Sequence, residues 1–326
     1  MAPIAAPAAS GYTAPMPIIE KDPWRDQYFV GAQCPDEVTI PTDDMVAWRL
    51  YPKHRWVYNK LLICETQGIE GAPHGVDPAS FPVFSKPIYN MHGMGVGTRI
   101  ANSADELARD LQPGHMWMRL LEGEHVSTDV AVENGEPRWW RHTIGKSLGG
   151  GVFDYWTVLA EARPEIESYC GDWVRRYLGG YTGCVNFETI GARIIECHLR
   201  FADQWPDLYG QSWLEAVLRL YVDGRWELRE VERGTGYSVV LFGAHGRAYE
   251  SPDPDLVRQI LADPVVSSVQ ITFDETQPPA AHAMPPGGFR LAIVNCWDLE
   301  TGMRARERLA LDFASRHGRI SLGAHG

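Results

Sequence analysis

No C-x-x-C pair occurs among the six cysteines, Cys34, Cys64, Cys170, Cys184, Cys197 and Cys296, which lie far apart along the chain. That spacing excludes a zinc site or a dithiol redox centre and gives no disulfide framework. Reduced, packed thiols of a cytoplasmic protein are the expectation. No Lys/Arg-rich run appears either, and 30 basic residues stand against 42 acidic ones for a net charge of −12. A nucleic-acid partner would need a basic stripe, so that class is excluded. No stretch reaches the roughly 18 apolar residues of a membrane span, which argues against a membrane partner. The Ala- and Pro-rich lead from Met1 to Pro17 lacks a basic n-region and an apolar h-region, so a loose lead and no signal peptide are expected. Also missing are G-x-S-x-G, H-E-x-x-H and G-x-G-x-x-G after a strand, and any repeat with a period of about 20 to 50 residues.

What is present begins with size: 326 residues, 44% of them apolar, can bury a substantial core in two domains or one composite one. Two lysines precede chemistry-bearing sequence. Lys60 lies in a helical pattern over Arg55 to Gly68. Lys86 lies in Phe81-Pro-Val-Phe-Ser-Lys-Pro-Ile, which reads as a strand and runs into His92-Gly-Met-Gly-Val-Gly97. Glycines there let backbone N–H groups approach phosphate oxygens, and an ammonium supplies a point charge.

The remaining pattern is mixed. Ser103-Ala-Asp-Glu106 forms a capping box before a short helix, Asp105 to Leu111. Trp117 to Leu121 and Val126 to Val132 read as strands, and Asn134-Gly135 as a hairpin turn before Arg138 to Thr143. Gly149 to Gly151 reads as a flexible turn, Pro164 to Leu178 and Trp213 to Tyr221 as helices. Beyond Asp223 come strands Glu227 to Val231 and Tyr237 to Phe242, helix Pro254 to Ala262, strand Ser267 to Phe273, a Pro-rich linker, strand Phe289 to Cys296 and helix Leu299 to Arg316. His245 and Lys146 are weaker candidates, more simply read as exposed turn and surface residues.

Cys184 to Phe201 reads as a hairpin turning near Gly191. Alternation puts Ile194, Glu196, His198 and Arg200 on one face. With the turn on Ile190-Gly191-Ala192, Asn186 would oppose Glu196, Cys184 would oppose His198, and Glu188 would join the same face. A two-residue turn would put Glu188 on the wrong side. Two carboxylates, an amide and an imidazole on one face suit Mg²⁺, which takes oxygen ligands and substrate phosphates. The plainer alternative is a solvated sheet face.

In this order the pieces from Tyr58 to Arg200 resemble the core of the ATP-grasp superfamily. Asn59-Lys60, Ser85-Lys86-Pro87 with Gly93 to Gly97, the linker Trp117 to Val126, and Glu196-Cys-His-Leu-Arg200 against the family pattern Glu-x-Asn-x-Arg carry the likeness. His198 stands where the family usually has Asn. The resemblance implies an α+β fold in which two α/β lobes hold nucleotide between them, with a C-terminal α/β extension. It implies an N-terminal lead over 1–54, an ATP-grasp core over 55–222 and the extension over 223–326.

By the same resemblance, Lys60 and Lys86 would hold the α- and β-phosphates of ATP, with Gly93, Gly95 and Gly97 closing over them. Leu120 and Leu121 would flank adenine, Glu188, Glu196 and His198 would bind Mg²⁺, and Arg200, with Lys86, would serve the chemistry. The implied activity joins a small-molecule carboxylate to an amine through an acyl phosphate. The alternatives are a nucleotide-binding protein without turnover and a small-molecule kinase. Oligomeric state is open, a homo-oligomer included.

Overall fold

Strands β1 (Ile18–Ile19) and β2 (Ile40–Pro41) pair in parallel ahead of helix α1 (Asp44–Leu50). The computed structural model describes residues 18–19, 23–29, 35, 37–91, 95, 97–149, 152–210, 212–228, 234–279 and 289–317. The lead before Ile18, Cys34, Gly93 and most of the Pro-rich linker lie outside the described residues. Helix α1 starts where Thr42-Asp43-Asp44 supplies a cap: the Asp43 carboxylate accepts the Met45 and Val46 N–H groups.

The single helix expected over Arg55 to Gly68 is split. A 3₁₀ turn over Arg55–Tyr58 gives way at Asn59 to α2 (Lys60–Gln67). Asn59 has extended backbone, and its side chain accepts the Leu61 N–H at 3.0 Å, so a fresh helix starts there. Gly68 ends it in the left-handed conformation, φ 66°. Asn59→Ala is expected to cost about 1 kcal/mol, read by chemical denaturation.

A four-stranded antiparallel sheet follows, in the order β3-β6-β4-β5. Its strands are β3 (Gly71–Pro73), β4 (Val83–Pro87), β5 (Arg99–Ala101) and, after α3 (Ala104–Ala108), β6 (His115–Arg119). The cap forms with one shift from the capping box: Ser103 Oγ accepts the Glu106 N–H, and the Glu106 carboxylate accepts the N–H of Asn102, one residue before the cap. Cys64, Ile69, Met116 and Met118 pack α2 against this sheet.

The second sheet has eight strands. Its first five in the chain are β7 (His125–Glu133), β8 (Glu136–Gly149), β9 (Val152–Val158), β10 (Gly183–Ile190) and β11 (Arg193–His198), with α4 (Pro164–Tyr177) between β9 and β10. Asn134 and Gly135 turn the first hairpin at φ 51° and 81°, the left-handed pair a two-residue hairpin needs. Strand β8 runs beyond Thr143 and pairs with β9, a strand masked in the sequence by its glycine-rich approach. Trp173 and Val174 of α4 bury one face of β10 and β11 with Val185, Phe187 and Cys197.

After α5 (Trp213–Val222) come β12 (Gly236–Gly243), α6 (Pro254–Leu261), β13 (Val266–Ile271), β14 (Phe289–Cys296) and α7 (Leu299–His317). Strand β12 pairs with β9, so the C-terminal strands extend the sheet in the order β11-β10-β7-β8-β9-β12-β14-β13. Of the strand expected over Glu227 to Val231, Glu227 and Leu228 are not in a strand and the rest lies outside the described residues. The α+β fold thus joins a small antiparallel sheet to a large one through the link after β6. No helix among the described residues is long and apolar enough to cross a membrane.

Candidate functional site

The β10–β11 hairpin turns on two residues, Gly191 and Ala192, at φ 53° and 60°, with Ile190 opposite Arg193. This corrects the three-residue turn expected at Ile190 to Ala192. By simple counting Ile195 would then oppose Glu188, but a bulge leaves Ile195 unpaired and restores the phase. Glu188 therefore faces Glu196, and Asn186 faces His198, correcting the pairings expected for Asn186 and His198. Glu196 and His198 share a face as expected, but Ile194, opposite Thr189, lies on the other one, in the core with Val185, Phe187 and Cys197, and Arg200 lies beyond the end of β11. Strand β7 adds Ser127 opposite Glu188 and Asp129 opposite Asn186.

Two ammonium groups reach this face from the small sheet and its helix. Lys60 is the first residue of α2, and its Nζ lies 3.6 Å from Glu196 Oε1. Lys86 on β4 donates from Nζ to the carbonyl of the bulged Ile195 at 2.9 Å. Both lysines are almost fully buried, 4% and 1% exposed. Burial pulls the Lys86 ammonium down from its ordinary value, with the Glu196 charge opposing. Burial alone would raise the Glu196 carboxyl, but His198, Lys60 and Lys86 outweigh it and hold it down at about 2.

On the other side of Glu196 the charges continue to alternate. His198 Nε2 lies 3.6 Å from Glu196 Oε2, and His198 Nδ1 lies 3.1 Å from both oxygens of Asp44. Arg200 Nε donates to Asp44 Oδ1 at 3.1 Å and Nη2 to Oδ2 at 3.4 Å. Burial is the largest single influence on His198 and lowers it, but the charge and hydrogen bond of Asp44 and the hydrogen bond to Glu196 together outweigh it, and the net shift is upward. Burial would raise Asp44, and Arg200 with His198 instead holds it well below the usual carboxylate range. The result is a row of Arg200, Asp44, His198, Glu196 and Lys60 in which each charge is flanked by the opposite sign. Asp44 has no counterpart among the expected site residues.

Asp129 is 2% exposed, and burial pushes its carboxyl up to about 6. It accepts from Asn186 Nδ2, Tyr209 Oη and the Ala202 N–H, so it ties the segment after Arg200 to the sheet. Glu188 accepts from Ser127 Oγ at 2.8 Å and pairs with His125. Leu120 and Leu121 sit in the link from β6 to β7, where Leu121 packs against the cluster of Cys64, Ile69, Met116 and Met118. Gly95 and Gly97 are exposed with left-handed φ of 60° and 75°. His245 and Lys146 are exposed and take no part in the row of charges.

Glu188 and Glu196 offer hard oxygen donors from opposed positions on one face, a donor set that fits Mg²⁺. His198 fits less well than expected, because both ring nitrogens already face carboxylates. Among the described residues no group of three or more His, Cys, Asp or Glu is arranged to hold a metal ion. A hard cation at this face would depend on substrate oxygens to complete its shell.

No sequence-family model matches the chain, and no curated protein matches it by sequence. Solved structures do. An L-amino acid ligase from Bacillus licheniformis aligns over 88% of this chain and 82% of its own, at 14% identity and a TM-score of 0.60. Phosphoribosylamine–glycine ligase from Thermotoga maritima aligns over 88% and 85%, at 15% identity and a TM-score of 0.56. The biotin carboxylase domain of a Hydrogenobacter thermophilus 2-oxoglutarate carboxylase, solved with MgADP, ADP and bicarbonate, aligns over 85% and 68%, at 15% identity and a TM-score of 0.53.

Proposed function

The chain has the ATP-grasp fold that these ligases share, and we propose that it is an ATP-dependent ligase joining a small-molecule carboxylate to an amine. The observation that carries this reading is the convergence of Lys60 and Lys86 on Glu196 of the opposing hairpin. Two cations from one sheet and its helix, facing a carboxylate on the other, make a place where a polyphosphate and a divalent cation can replace the internal pairing.

In this mechanism Lys60 and Lys86 hold the α- and β-phosphates, and the segment of Gly95 and Gly97 covers the phosphate tail. Leu120 and Leu121 flank adenine. Glu188 and Glu196 hold Mg²⁺, which when bound offsets the phosphate charge. The substrate carboxylate oxygen attacks the γ-phosphorus, and ADP leaves with the electrons of the broken bond. The amine nitrogen then attacks the acyl carbon and inorganic phosphate departs. Arg200 and Lys86 steady the phosphoryl group, so the protein's work is positioning and charge neutralisation.

Calorimetric titration with ADP or ATP, with and without Mg²⁺, tests the site. Saturable binding strengthened by Mg²⁺ is expected, and Lys86→Ala should weaken it by at least about tenfold, the worth of a charge-assisted bond. A panel of acids and amines then tests the reaction. ADP formation that requires both supports the ligase, a phosphorylated acid formed without an amine assigns a kinase, and binding without ADP formation leaves a nucleotide-binding protein.

A further inference from the structure

We propose that Asp44 is a positioning residue for Arg200, supplied to the site by an N-terminal segment outside both sheets; this rests on the reading of Arg200 as the group that steadies the phosphoryl. The two side chains lie 156 residues apart in sequence. Asp44 grips the guanidinium side-on, through Nε and Nη2, while Nη1 has the Phe201 carbonyl at 3.4 Å. A side-on clamp fixes the plane of the fork and leaves its far edge, held only by the long Nη1 contact to the Phe201 carbonyl, to meet an anion. Burial follows the same division: the Asp44 side chain is 6% exposed and that of Arg200 19%.

Asp44 is itself held from several directions. Tyr58 Oη donates to its Oδ1 at 3.3 Å and accepts the Leu199 N–H, and His198 Nδ1 faces both carboxylate oxygens. Helix α1 is anchored by fully buried Ala47 and by Trp48, whose ring lies 5.7 Å from Tyr58 and 5.8 Å from Tyr89. A carboxylate placed merely to neutralise Arg200 would not need this support. Such rigidity is what an arginine requires to meet a transferring group without reorganising.

The test is binding of Mg·ADP with and without aluminium fluoride, a stand-in for the transferring phosphoryl group, to the full-length protein by calorimetry, alongside thermal unfolding. In the wild type the fluoride is expected to tighten binding. Asp44→Asn should lose at least about tenfold of the fluoride-dependent gain, measured against its own Mg·ADP affinity. Asp44→Glu should recover part of that gain. Tyr58→Phe, which keeps every charge and removes the hydroxyl that Asp44 and the Leu199 N–H share, should show a smaller loss and covers the case in which Asp44→Asn does not fold. Full retention of the gain in Asp44→Asn and Tyr58→Phe overturns the proposal. So does tighter fluoride binding in Asp44→Asn, which would make Asp44 an internal anion seated on Arg200. A wild type that binds Mg·ADP but shows no gain overturns the reading of Arg200, and the role of Asp44 with it.

Discussion

Glu196→Gln is expected to abolish the Mg²⁺ enhancement of nucleotide binding and to cut turnover by at least about a thousandfold, the upper range for removing one preorganised electrostatic group. Gln keeps the size and one acceptor oxygen but removes the charge that Lys60, Lys86 and His198 share. Stability should fall as well. The Glu196 carboxyl is held at about 2 against an ordinary 4.5, which corresponds to roughly 2–3 kcal/mol after allowing for a side chain 23% exposed. Because the folded-state value is depressed, this contribution is present in full above about pH 4.5 and is lost as the pH falls toward about 2. The wild type should therefore destabilise steeply across that window, and Glu196→Gln should start lower and fall less. Calorimetry with and without Mg²⁺, and denaturant titrations from pH 6 to the acid limit, check both halves. Undiminished Mg²⁺ enhancement in the variant would remove Glu196 from the proposed metal site.

The elements of this site differ in how far the sequence discloses them. Lys86 and the run from Glu196 to His198 sit in strands, so their faces follow from local pattern. The register of the hairpin does not, because a bulge changes the count by one. Its trace is in the sequence: Ile194-Ile195 puts two apolar residues side by side where alternation calls for one. Asp44 was out of reach for another reason. Thr42-Asp43-Asp44 announces a helix start, and nothing local says that the second carboxylate will meet His198 and Arg200, more than 150 residues away. The C-terminal strands were likewise recognisable one by one. That β12 pairs with β9 and fuses them to the larger sheet depends on tertiary choice, which a strand pattern does not encode.

Gly191→Val is expected to cost at least about 3 kcal/mol and to weaken nucleotide binding with it. Two backbone segments meet at this glycine. A Cβ on Gly191 would stand 2.4 Å from the Glu122 carbonyl oxygen, and one on Gly123 would stand 2.7 Å from the Gly191 Cα. The Gly191 N–H also donates to the Glu124 carbonyl at 3.2 Å, so the hairpin turn is pinned to the link between the sheets. Gly191 has φ 53° and Gly123 φ 124°, so a side chain at either adds backbone strain to the clash. The obstacle is main chain, which no rotamer change can relieve. The same link carries Leu120 and Leu121, so displacing it shifts the wall proposed for adenine relative to Glu196. Gly68→Ala is the control: it shares a left-handed φ of 66° but has nothing within 4 Å of the added carbon. It should cost only about 1 kcal/mol and leave ADP affinity unchanged. Denaturant unfolding and ADP calorimetry on both variants separate the two effects. Equal stability losses would show that backbone conformation alone, and not the contact between link and hairpin, keeps glycine at position 191.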